Sequence, residues 1–136
     1  MTRKILPILA LTAALGAMMP AMALNPPTED AQTAYSAAEV GVARRAFRAQ
    51  CVRYQPAERC ECYTAGFAQA LTPPELRLAT ALLPTRFAAN ETIRARATAT
   101  AMSSASQMFV DETARQDAMS HIDDAETELA PICNAA

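Results

Sequence analysis

Apolar side chains recur at helical spacing along most of this chain, and nothing in the pattern alternates as a strand would. Between residues 37 and 54, Val40, Phe47, Cys51 and Tyr54 fall on one face at about 100° per residue. Between residues 57 and 71, Cys60, Tyr63, Phe67 and Leu71 do the same. The turn Tyr54-Gln55-Pro56 lies midway between Cys51 and Cys60, so an antiparallel helical hairpin brings those two sulfurs level on facing apolar stripes. Cys62 follows Cys60 by two residues, about 200° round the helix, and faces away from that seam. It therefore needs a different partner.

Local signals set the expected boundaries. Ser36-Ala37-Ala38-Glu39 matches a capping box, in which hydroxyl and carboxylate each satisfy an orphan backbone N–H, so the first helix starts near Ala37. Pro56 restricts Gln55 and suits a helical first turn, which ends one helix near Tyr54 and begins the next. Thr72-Pro73-Pro74-Glu75 is the clearest helix start, followed by Leu76, Ala79, Leu82 and Leu83 as an apolar face. Pro84 is expected to end or kink that helix.

No proline occurs from Thr85 to Leu129. One unbroken helix of that length would extend about 67 Å at about 1.5 Å per residue. A compact domain of this size has a radius of gyration on the order of 13 Å, so the segment should break. Ser103, Ser104 and Ser106 crowd together, and Ser104-Ala105-Ser106-Gln107 offers another capping box, which places the break within Thr100 to Ser106. The expectation is one helix from about Phe87 or Glu91 to Met102 and a last one from about Ala105 to Leu129. Pro131 closes it and leaves Cys133 on a short tail. Gly66 offers close approach to another backbone on the Cys62 side. The small residues Ala97, Ala101 and Ala105 suit close helix packing, as do the larger Ile122 and Leu129. The fold class is thus all-α: a small bundle of about four to five helices with a disulfide-stapled helical hairpin at its centre.

The first 23 residues change the picture from cytosolic to exported. Arg3 and Lys4, the apolar run Ile5 to Met19, and Ala21-Met22-Ala23 form a cleavable signal peptide, giving a single helical domain over residues 24–136. The residue immediately after the cleavage site is Leu24 and not a cysteine, which argues against a lipid anchor. No later apolar run approaches the roughly 18 residues of a membrane span. The expected location is periplasmic or extracellular.

All four cysteines lie beyond the signal, and an even count in an oxidising compartment favours bridges. Three pairings are open, and the favoured one joins Cys51 with Cys60 and Cys62 with Cys133. The alternative is that Cys60-Glu61-Cys62 works as a redox or soft-metal (copper) pair, since two neighbouring thiolates exchange disulfides or hold Cu(I).

Residues 24–136 hold 10 Arg, no Lys and 14 carboxylates, a net charge of −4, which gives nucleic-acid binding no global support. The sign is uneven. Residues 106–136 carry one Arg against seven acids, while Arg44, Arg45, Arg48 and Arg53 cluster near the start and are expected to balance Glu58, Glu61 and the acidic last helix. On that last helix Asp117, His121, Asp124 and Glu128 fall within about 40° of one line, a candidate cation site, although any amphipathic helix has such a polar face. No cofactor is called for. His121 is the only histidine, and no serine, cysteine or carboxylate spacing marks a catalytic set, so no catalytic residue is assigned and no enzyme activity is expected.

The run Phe47-x-x-x-Cys51, Cys60-x-Cys62, Leu71-Thr72-Pro73-Pro74-Glu75-Leu76 resembles a pattern of small exported bacterial helical proteins. It covers residues 47–76, and it implies export and a helical scaffold and brings no catalytic residue. The expected role is a non-catalytic binding or accessory module whose partner is another protein. Thiol redox or copper handling and acid-stress chaperoning are the alternatives.

Overall fold

A computed structural model describes residues 34–135; the expected signal peptide over residues 1–23 and its cleavage site lie outside the described residues. The described residues form five helices: α1 (Ala37–Cys51), α2 (Ala57–Ala70), α3 (Pro73–Arg86), α4 (Glu91–Met108) and α5 (Glu112–Cys133). No strand occurs among them. The molecule is a small all-α bundle carrying two disulfides.

Helix starts follow the sequence signals. Ser36 accepts from the Glu39 N–H while the Glu39 carboxylate accepts from the Ser36 N–H at 2.8 Å, and Thr72 and Glu75 repeat the exchange at α3. These reciprocal bonds satisfy donors that a bare helix end leaves open. Asn90 and Asp111 cap α4 and α5 by accepting from the Ile93 and Ala114 N–H groups.

Four boundaries differ from expectation, the first being α1, which ends at Cys51 rather than near Tyr54. Pro84 lies inside α3 and Pro131 inside α5, both in the last turn. There a proline forfeits a single backbone bond, which buried neighbours such as Leu83 and Leu129 offset. Cys133 accordingly ends α5 rather than sitting on a tail. The break between the last two helices falls at Phe109–Asp111, beyond the serine-rich stretch. Within that stretch Ser104 and Ser106 donate back to the Thr100 and Met102 carbonyls, so their hydroxyls serve the helix interior instead of capping. Ala101 and Ala105 are fully buried on the inner face of α4, and a break between them would unseat the helix.

The hub of the bundle is α3, which packs against each of the other four helices. It buries Leu76, Leu78, Ala79, Leu82 and Leu83, so its apolar surface extends beyond the single stripe its spacing suggests, with Leu78 the addition. Phe47 of α1 meets Phe67 of α2 edge-on at 5.2 Å, sealing the hairpin core.

Disulfides flank α2 on both sides. Cys51 and Cys60 join across the α1–α2 turn with Cα atoms 5.7 Å apart, and Cys62 joins Cys133 at 5.5 Å. Both favoured pairs form. The opposed directions of Cys60 and Cys62 on one helix are what send each sulfur to a different neighbour. One turn along from Cys62, Gly66 faces Leu129 of α5, and a Cβ built on Gly66 would stand 3.1 Å from the Leu129 Cγ. Hydrogen in place of a side chain is what lets these two helices approach.

Candidate ligand-binding cleft

Cys51, of the Cys51–Cys60 disulfide, lines a cleft of about 460 Å³ between α1, α2, α3 and α5. Each wall is a stripe of residues four apart, one above the next on a helix face. α1 contributes Phe47 and Cys51, and α3 contributes Ala79 and Leu83, continued by Phe87 just past its end. Gln55 and then Arg59, Tyr63 and Phe67 of α2 form the opposite wall. Ile122 and Glu126 of α5 close the side, with Asn134 just beyond that helix.

The lining combines an apolar floor with a few polar groups. Phe47, Phe67, Leu83 and Ile122 are buried, while Phe87 is 41 % exposed and stacks on Tyr54 at 5.3 Å. The Tyr63 hydroxyl donates to Asn134 at 3.3 Å, linking α2 to the end of α5 beside the Cys62–Cys133 bridge. Aromatic surface with sparse, placed polar groups is the usual make-up of a small-molecule site, and the volume lies in the usual range of roughly 300–1,000 Å³.

The two guanidinium groups differ in their commitments. Arg86, 29 % exposed, ion-pairs with Glu126 and, at 3.5 Å, with Asp123. Burial lowers its pKa from the ordinary value, and the Asp123 charge and then Tyr63 oppose that shift. Arginine titrates so far above neutrality that it remains a cation. Arg59 is half-buried, and its Nη1 donates to the Gln55 amide oxygen at 2.7 Å. Among the described residues no carboxylate lies within ion-pair reach of it and its buried Nε–H has no hydrogen-bond partner. An unmet buried donor of this kind costs about 1–3 kcal/mol.

Of the site residues singled out from sequence, Cys51 lines the cleft and the others are placed elsewhere. His121 turns away from the acidic line, and its Nδ1 lies 2.8 Å from the Glu75 carboxylate on α3, whose second oxygen caps Thr72. Asp117, Asp124 and Glu128 are exposed, and among the described residues no three His, Cys, Asp or Glu side chains gather into a group able to hold a metal ion. Arg48 pairs with Glu61 across the hairpin at 2.6 Å. Arg53, in the turn just past α1, donates to Gln50, so the acidic last helix draws its counter-charge from Arg86 and Arg115 instead of the early arginine cluster. Cys60 and Cys62 are each spent in a separate disulfide, so in this state the doublet is not a dithiol. Sequence reasoning missed the cleft. Its one legible sign was Arg59, an arginine one turn before Tyr63 and Phe67 on an otherwise apolar stripe.

Fold and cleft together define the class: a disulfide-stapled all-helical bundle with an aromatic, arginine-bearing recess. No family model, curated protein or solved structure matches the chain. Its two disulfides are compatible with an oxidising, exported setting, and among the described residues no helix is long and apolar enough to cross a membrane.

Proposed function

We propose that the protein is a non-catalytic binding module working outside the cytoplasm, and that it receives its guest in the cleft between α1, α2, α3 and α5. The observation carrying this reading is the recess itself: about 460 Å³ walled by Phe47, Tyr63, Phe67 and Phe87, with Cys51 of the Cys51–Cys60 cross-link in its lining. Cross-links on either side of α2 hold its spacing to α1 and α5, so the recess is formed before a guest arrives. A preformed site spares the ordering cost that a flexible one incurs on binding.

Fluorescence titration of the mature, disulfide-bonded chain with a neutral solvatochromic naphthalene dye tests the reading. One saturable site is expected, and Ala79→Leu, which adds bulk to the α3 wall, should weaken it. Absence of saturable binding would refute it, as would unchanged affinity in an Ala79→Leu chain that melts at the parent temperature.

The accessory role on another protein is the second reading, favoured by Phe87, which remains 41 % exposed at the cleft. A photo-reactive side chain at position 87 should then cross-link one partner in cells, and the neutral dye should compete that product away.

A further inference from the structure

We infer that the guest is a small amphipathic monoanion, a carboxylate with an apolar tail, whose head is held by Arg59. This rests on the cleft reading above and specifies its chemistry. Three observations lead there.

The first is charge. Arg59 and Arg86 are the cations of the lining and Glu126 is its carboxylate, and Glu126 is already paired with Arg86. The positive charge left over belongs to Arg59, which has no carboxylate partner among the described residues. A cationic guest would be repelled by it.

The second is the donor geometry. Gln55 takes Nη1 of Arg59, and the buried Nε–H has no partner among the described residues. The side-on edge of a guanidinium, made of Nε–H and one Nη2–H, presents two parallel donors that match the two oxygens of a carboxylate. A carboxylate that draws this edge toward the recess satisfies a donor the empty cleft leaves unmet. Gln55 meanwhile steadies the head from the other side.

The third is what lies beyond the arginine. Tyr63 and Phe67 continue the same α2 stripe in steps of four residues, and Phe47, Leu83 and Ile122 face the same space. A head on Arg59 therefore places an attached tail along apolar surface. Burying that surface is what makes binding favourable, while the ion pair sets which guest is chosen. The volume suits a free amphiphile better than a folded partner.

Isothermal titration calorimetry with three probes of equal tail length decides the matter: decanoate, decanol and decyltrimethylammonium, each below its aggregation concentration, on the mature oxidised chain. Decanoate should bind one site at least tenfold tighter than decanol, and the ammonium should bind weakest. Arg59→Gln should bring the decanoate and decanol affinities to within about twofold of each other in a chain that still saturates with decanol; Arg59→Lys, which keeps charge but loses the fork, should retain part of the preference. Equal affinities for decanoate and decanol, or a preference that survives Arg59→Gln, would overturn the carboxylate assignment and leave the cleft reading standing. If none of the three probes saturates a site, both fall.

Discussion

Removing the disulfides one at a time tests the architecture through a difference that the topology alone dictates. The Cys51–Cys60 bridge spans a sequence separation of 9 and the Cys62–Cys133 bridge one of 71. In the chain-entropy model a cross-link restricts the unfolded chain by an amount growing with the logarithm of the loop. At 25 °C the short loop is worth about 2.6 kcal/mol and the long one about 4.4 kcal/mol. Replacing each pair with alanines deletes the same two sulfur atoms, and three of the four cysteines are at most 2 % exposed, so the packing losses are similar and the loop term dominates the difference. Urea unfolding followed by far-ultraviolet circular dichroism should therefore place the Cys62→Ala/Cys133→Ala chain about 2 kcal/mol below the Cys51→Ala/Cys60→Ala chain. Total stabilities of small domains are about 5–15 kcal/mol, so the long-loop variant should approach unfolding at 37 °C. Equal losses, or a larger loss from the short bridge, would refute the assignment of stability to loop closure.

Gly66→Ala should destabilise the chain by about 1–3 kcal/mol despite alanine's better helix propensity, because its Cβ would meet the buried Leu129 side chain, and Leu129→Ala in the same chain should cost less than it does alone. Denaturant midpoints for the four chains of that cycle provide the check. Acid should loosen the start of α1. The Glu39 pKa is lowered from its ordinary 4.5, first by the Ser36 backbone N–H and then by the Ser36 hydroxyl, so its contribution is present above that value and is lost as pH falls through the depressed one. Amide protection at the first turn of α1, corrected for the intrinsic pH dependence of exchange, should fall over that window, and Glu39→Gln should remove the dependence. Glu112, lowered first by its hydrogen bond from Arg115, predicts the same sense of change at the start of α5.

Helix capping was readable because its grammar is local. Ser36 with Glu39 and Thr72 with Glu75 each bond within three residues, and no distant contact is needed to complete them. The disulfide pairing was readable too, since opposite directions on one helix and a central turn are enough to separate the partners of Cys60 and Cys62. The serines before Asp111 misled because a hydroxyl that caps in one context bonds back to the i−4 carbonyl in another, and the burial of Ala101 and Ala105 against α3 settles which. Pro84 and Pro131 misled similarly: a local breaker in a last turn yields to packing and to the nearby cross-link.

What the amino-acid order determined by itself was the helical content, the starts of α1 and α3, and the direction in which each sulfur points, all matters of neighbours within a few residues. Which helix became the hub, where Glu75 and His121 meet 46 residues apart, and the recess beside Arg59 were decided only when the helices packed. A cleft is made of space left between elements, and the crossing of separate helices, unlike the spacing along one of them, is not written in any local stretch of chain.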